Sequence, residues 1–550
     1  MPGFEIAIGA LGVAQMTLKV LDVGVTIISN ARHYDKDAEA LGLKFQQLTH
    51  RYNSLQKVLF QTDKFTFLHG KSLFSQLPKD TCKIIHQLFV ELLQVLYVHF
   101  ALEQQYVKTA EQSPTNAKRE GETHLGLTCD EERLIFANFD VDDQDLPAPQ
   151  RPSSLLSLAS WRWALRGKKK AARINSEFED WLNRTKETLE DFWWPLPFLN
   201  HVPNLDALKS DADAKAMGSA QTAGLRKLLL SDTTALEDLE VNWNAVKDIT
   251  VVAGKATGTL HGQTVLVEML SFPIDENGQL PELLQRRFSK IVQLLKAQHD
   301  PDFRVLQGLN YASRVGESAG ELRLISRFPD VSPSHVKTLR QLYRGTAMAQ
   351  RPSLSLRFEL CSQLAESIYL LHSVDWVHRA LRSDNVLVLL PPHAPSQARL
   401  QAMELRICGF EAARPETDKS TGPYDNAIAN NVYRHPERWG TPRETFHRSH
   451  DVYALGVVLL EIGLWEAAED MISGLRDSQR SPKHVKALLI RQVDERLIYR
   501  CGDIFAAAVR RCLEWRFDVE VPSSASDQLR IHRGLAEQVV NPLRLLKDAV

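Results

Sequence analysis

The apolar residues of this chain change their period once, near residue 236, and that change separates two differently built parts. Before it, Leu11, Ala14, Leu18, Leu21, Val25 and Ile28 recur in steps of three and four. So do Leu41, Phe45, Leu48, Tyr52, Leu55 and Leu59. Ile85, Leu88, Leu92 and Val95 carry a third helix over 81–105. Ile174, Phe178, Trp181, Thr185, Leu189 and Phe192 carry a fourth, which Pro195 and Pro197 end. Residues at this spacing share one helix face, so the stripes predict an all-α bundle over residues 1–200. Residues 111–153 within it are polar, with acidic runs such as Asp140-Val141-Asp142-Asp143, and read as a long loop or insertion. A helical connector is expected at 201–235. Beyond it come short β-rich runs, Thr250-Val251-Val252 and Thr264-Val265-Leu266-Val267 among them, then a helix, more strands, and mostly helix to the end. Strands followed by helices predict an α+β domain over 236–550.

The chain has 550 residues, enough for several cores at about 100–200 residues each. Sixty-six Lys+Arg against 68 Asp+Glu leave a net charge of −2, so no nucleic-acid partner is expected. The six cysteines (Cys82, Cys129, Cys361, Cys408, Cys501, Cys512) form no C-x-x-C pair. That pattern argues against a disulfide framework and against a metal site, and favours a reducing, cytoplasmic setting. The opening Met-Pro-Gly-Phe-Glu has no basic n-region of a secretory signal. The uncharged run Ile6–Leu18 spans 13 residues, short of the roughly 20 needed to cross a bilayer. The most basic spot is Lys168, Lys169 and Lys170, close to Trp161, Trp163, Arg166 and Arg173. It reads either as a solvated helix start or as a surface for anionic lipid.

Three runs in the second half resemble the protein-kinase signature set, in its order. His378-Arg379-Ala380-Leu381-Arg382-Ser383-Asp384-Asn385 resembles the catalytic loop, Ile407-Cys408-Gly409-Phe410-Glu411 stands where the D-F-G segment belongs, and Tyr433-Arg434-His435-Pro436-Glu437 resembles the A-P-E segment. A stretch like the family's large buried helix follows from Asp451 to Glu461. The resemblance implies a bilobal fold, with a small lobe at about 236–330 and a large lobe at about 331–550. It also exposes what is missing. Ala380 replaces the catalytic aspartate, Gly409 the magnesium-binding aspartate and Glu268 the strand lysine that holds phosphates. Gly254, Gly258 and Gly262 depart from the glycine-rich loop, and only Asn385 survives among the metal and phosphate groups. ATP without Mg²⁺ is the one cofactor left open, and the nucleotide-site candidates are Glu268, Lys290, Asn385 and Gly409. Lys290 falls at the helix position of the family's glutamate, which predicts a charge-exchanged Glu268–Lys290 pair. His378 and Arg379 are expected to brace the loop. Asp451 should accept hydrogen bonds from the loop backbone, and Asp384 should point away from the reaction centre. Glu437 is expected to pair with Arg511 or Arg516.

The opening Phe4-Glu5-Ile6-Ala7-Ile8-Gly9-Ala10-Leu11-Gly12-Val13-Ala14, and the segment Trp161-Arg162-Trp163-Ala164 ahead of an amphipathic helix, resemble the HeLo domain of fungal prion-inhibition, propagation and programmed-death proteins. The resemblance covers roughly residues 1–200 and implies a helical bundle whose N-terminal segment enters membranes on activation. Ile6, Ile8, Leu11, Leu18, Leu21 and the Lys168–Lys170 cluster are the membrane candidates it points to. The 23-residue stretch Ile6–Ile28 is long enough to cross, but Lys19 and Asp22 make insertion costly, by about 2.5–3.5 kcal/mol each. A core helix is the equally ready reading. Together the two halves read as a signalling pseudokinase that controls a helical effector of the cell-death or heterokaryon-incompatibility type. Its expected partners are an upstream sensor, a second copy through the helical domain, and the plasma membrane on activation. An atypical Ser/Thr kinase is the alternative.

Overall fold

A computed structural model describes the chain except residues 1, 32–35, 112–167, 195, 231–238, 253–254, 273, 275–278, 298–300, 317–318, 332–334, 346–350, 391–402, 417–427, 440–444, 476–480, 520–526 and 550. The loop expected at 111–153, and Trp161 and Trp163, therefore lie almost wholly outside the described residues. Two compact units are present, Met1–Gly224 and Leu225–Val550.

Helices α1 (Pro2–Ala31), α2 (Lys36–Phe60), α3 (Lys79–Glu111) and α4 (Lys168–Trp193) build the first unit. All six residues of the predicted α4 stripe are buried, as are Phe45, Leu48, Tyr52, Leu55 and Leu59 on α2. Their aromatic rings interlock: Tyr52 lies 5.9 Å from Trp181 and 5.8 Å from Phe89, and Phe89 lies 5.4 Å from Trp181. The polar tips of these rings are satisfied, with Tyr52 Oη donating to the Ala14 carbonyl (3.0 Å) and Trp181 Nε1 to that of Leu88 (2.7 Å). On α1 the buried face is Ala10, Ala14, Thr17 and Leu21, flanked by Met16 and Val20, while Leu11 and Leu18 are only half-buried. On α3, Leu88 is half-buried and Val95 exposed, and their neighbours Phe89 and Leu96 take the core positions instead. Short helices α5 (Val202–Ser210) and α6 (Ala212–Met217), expected as a connector, belong to this unit. Lys64 binds Asp211 (2.9 Å) and Asp213 (2.6 Å), and Ser54 also donates to Asp213 (2.9 Å). Among the described residues no helix is long and apolar enough to cross a membrane.

The second unit mixes helices with antiparallel sheets. Strands β1 (Lys247–Val252), β2 (Lys255–Leu260), β3 (Gln263–Phe272), β4 (Gly308–Val315) and β5 (Gly320–Arg327) form one sheet in the order β1-β2-β3-β5-β4. Helix α7 (Glu282–Ala297) covers it, packing on β4. The two-residue turn His261-Gly262, with φ of 48° and 78°, makes the tight β2–β3 hairpin that glycine permits. β3 alternates as a half-buried strand should: Val265 and Val267 face one apolar cluster, while Leu266 joins Cys408 and Phe328 in another on the opposite face. Helices α8 (Leu354–Ser373) and α9 (Arg448–Leu464) form the centre of the larger part, and every residue of α9 is buried. A smaller sheet, Val336–Thr338, Val386–Leu389 and Glu404–Ile407, lies between the two parts of the sequence and positions the loop that precedes Val386.

Candidate functional site

Glu268 is the centre of the site. Its position on β3 places it on the Leu266 face, with 7% of its surface exposed. Its carboxylate accepts the backbone N–H of Gly409 in a short bond and that of Phe410 at 3.4 Å. Gly409 has φ of +92°, the left-handed region that favours glycine. A Cβ there would lie 2.2 Å from Asn385 Nδ2 and 2.5 Å from its Cγ. Asn385 cannot yield easily, because it is fully buried and its Nδ2 donates to the Ala380 carbonyl at 2.7 Å. Its Oδ1 accepts a short hydrogen bond from Lys255 Nζ.

Lys255 is a group that motif reading missed. The β2–β3 register pairs Leu260 with Gln263 and Ala256 with Val267, so one further step sets Lys255 opposite Glu268. The register follows from the two-residue hairpin turn, so the signal was present in the sequence. The ammonium acts on Glu268, Glu411 and Cys408. Burial, and the repulsion of Glu411, push the Glu268 carboxyl above the usual carboxylate range, while Lys255 and the two amides pull it back. Glu411 is likewise raised by burial. Two carboxyls thus share one ammonium inside the cleft.

The predicted Glu268–Lys290 pair does not form. The groups that act on Glu268 are Glu411, Lys255 and the Gly409 and Phe410 amides. Lys290 is half-buried on α7, and the deeply buried cation of that helix is Arg287, about one turn earlier, 3% exposed and acting on Arg379.

The loop residues have the bracing roles expected of them. Asp451 accepts the N–H groups of His378 (2.6 Å) and Arg379 (2.9 Å) and faces His372 Nε2 at 3.3 Å. His378 donates from Nε2 to the Cys408 carbonyl (3.1 Å), and its Nδ1 accepts the Ala380 N–H (3.3 Å). Burial holds this imidazole down at about 4, hence neutral. Arg379, at φ +67°, donates to the Ala412 carbonyl at 3.2 Å. Asp384 is held by Arg340 at 2.9 Å, and so is committed elsewhere than a reaction centre. Glu437 is 51% exposed at its side chain and lies beside His435 and His450, not beside the expected Arg511 or Arg516. Of the membrane candidates, Leu21 is buried in the bundle and Leu11 and Leu18 half-buried. The side chains of Ile6, Ile8 and Lys168–Lys170 lie outside the described residues.

These residues do not fit Mg²⁺ with a nucleotide. Position 380 has no carboxylate, position 409 has no room for one, and the Glu268 carboxyl takes up the Gly409 and Phe410 amides. Comparison with known families finds a match to a model described as a domain of unknown function, DUF7580, over residues 313–549. No curated protein matches the chain.

A buried carboxyl elsewhere gives a pH prediction. Glu461 is fully buried, accepting Tyr433 Oη (2.6 Å) and the Ala468 N–H (2.7 Å), and burial pushes it up to about 8. Folding therefore raises its proton affinity, so its contribution is fully present below the unfolded value of about 4.3 and lost as pH rises through about 8. His378 acts in the opposite sense, with stability lost as pH falls below its unfolded value of about 6.5 towards about 4. Urea midpoints of the full chain are expected to peak between about pH 5 and 7. Glu461→Gln should flatten the alkaline limb; an unchanged limb would assign it to other groups.

Proposed function

We propose that residues 225–550 are a protein-kinase-like domain without phosphotransfer activity, a signalling pseudokinase that governs a HeLo-like helical unit of the cell-death or incompatibility type. The observation that carries this reading is the Glu268 carboxylate on the Gly409 and Phe410 amides. Phosphoryl transfer depends on positioning and on positive charge around the phosphates. In this cleft a carboxylate occupies the backbone donors, and Lys255 is engaged by Asn385. The order of the three kinase-like runs supports the fold assignment. So do the five-stranded sheet with its helix and the anchoring of the His378–Arg379 backbone on Asp451. For the first unit, the four stacked helices and the opening sequence support the HeLo-like reading. Regulation then runs through protein partners, an upstream sensor and self-association of the helical unit, with recruitment to the plasma membrane on activation.

The test is nucleotide binding and phosphate transfer by the full chain. The expected result is no incorporation of γ-phosphate into the protein or generic substrates, and no Mg²⁺-dependent rise in melting temperature with ATP. Incorporation that disappears in Asn385→Ala would establish the alternative, an atypical kinase. A parallel arm with ATP and a chelator reports metal-free nucleotide binding.

A further inference from the structure

His435, Glu437 and His450 come together away from the cleft, where the Tyr433–Arg438 segment meets the start of α9. One donor atom from each lies within 4.8 Å of the others. His435 Nδ1 is 3.4 Å from Glu437 Oε2, and His450 Nε2 is 4.0 Å from the same oxygen. Two ligands held at about 2.0–2.2 Å by a tetrahedral ion stand roughly 3.3 Å apart, so one edge of the triangle is already at that spacing. The Glu437–His450 edge closes by movement of Glu437, whose side chain is half exposed, and the His435–His450 edge closes by a shift of the imidazole rings. Both imidazoles are buried; His450 Nε2 has no hydrogen-bond partner, and His435 Nδ1 accepts the Glu437 N–H at 3.4 Å. Aromatic walls surround them, with Trp515 3.8 Å from the His435 ring and Phe446 4.9 Å from that of His450.

We propose that His435, Glu437 and His450 bind a divalent transition-metal ion, Zn²⁺ by the chemistry of the donors, which ties the Tyr433–Arg438 segment to the N-terminus of α9. Two imidazoles and one carboxylate suit zinc, with solvent as fourth ligand on the exposed Glu437 side. In the ion-free chain His450 Nδ1 accepts the His447 N–H at 3.1 Å, which places the ring proton on Nε2. Ion binding at Nε2 moves that proton to Nδ1 and frees the His447 N–H to solvent. The inference is independent of the pseudokinase reading. Cysteine spacing gave no sign of this site because its ligands are a His-x-Glu pair and a histidine 13 residues further on.

The experiment uses the full chain stripped of metal, titrated with ZnCl₂ by calorimetry, with melting temperature and imidazole ¹⁵N shifts recorded in parallel. One equivalent is expected to bind, raise the melting temperature and switch one histidine from the Nε2-H to the Nδ1-H tautomer. Glu437→Gln, at a half-exposed position, should leave the metal-free melting temperature unchanged and weaken binding by 10-fold or more; His450→Ala should abolish it. Binding that is equal in wild type and Glu437→Gln, or that produces no tautomer switch, or no binding at all, would overturn the proposal.

Discussion

Gly409→Asp, which restores the aspartate that the kinase resemblance calls for, is expected to destabilise the second unit and to restore no metal or nucleotide binding. A non-glycine residue in the left-handed region costs about 1–2 kcal/mol. Its Cβ would also enter Asn385, at 2.2 Å from Nδ2. Forcing atoms into a packed site costs a further 1–3 kcal/mol or so, giving a loss of about 2–5 kcal/mol. Asn385 is fixed by Ala380 and Lys255, so relief by rotation breaks both bonds. Urea denaturation of the full chain, followed by a probe in the second unit, measures the loss. Comparing Gly409→Asp, Asn385→Ala with Asn385→Ala alone separates the causes: in that background the overlap with the amide is gone, and the remaining difference is chiefly the backbone cost. A Gly409→Asp chain as stable as wild type would show that Asn385 moves freely, and would remove the steric argument against a metal aspartate.

Arg448→Ala is expected to have an effect of similar or greater size. Arg448 starts α9, with its side chain 7% exposed, and binds Glu416, 5% exposed, through Nε at 2.8 Å and Nη2 at 2.6 Å. Its Nη2 also reaches Asp375 at 3.2 Å, and Asp375 is held in turn by Arg226 at 2.6 Å. Removing one partner of a buried pair leaves the other uncompensated, at a cost of about 3–5 kcal/mol. Replacing both partners by apolar residues removes the uncompensated charge, so Arg448→Met with Glu416→Leu should be clearly less harmful than Arg448→Ala alone. The midpoint of unfolding of the second unit reads both. If the double variant equals the sum of Arg448→Met and Glu416→Leu measured singly, the two side chains are energetically independent and their proximity contributes nothing.

Much of the fold was legible before any coordinates. The six apolar residues of the α4 stripe are all buried, because helical periodicity is a property of the local chain and needs only one core to face. Strand β3 and the Asp451 anchor were legible for a similar reason: alternation, and a short motif with its own backbone geometry. Ala380, Gly409 and Glu268 were visible as departures from the kinase pattern that the surrounding runs resemble.

Their consequences were not. That Glu268 serves the amides of residues 141 and 142 positions away depends on how the sheet and the Cys408–Phe410 segment are brought together, which periodicity does not encode. The same holds for Lys290, which is half-buried on α7 while Lys255 is the cation that acts on Glu268. Lys255 lies between the two cases, since a two-residue hairpin fixes its register opposite Glu268, but only tertiary packing closes it on Asn385. The sequence by itself determined the helical and mixed halves and the positions at which the three runs depart from the kinase pattern they resemble, all of them local. Tertiary structure alone decided which charges meet, because a buried charge takes whichever partner packing brings within about 3 Å, whatever its distance along the chain.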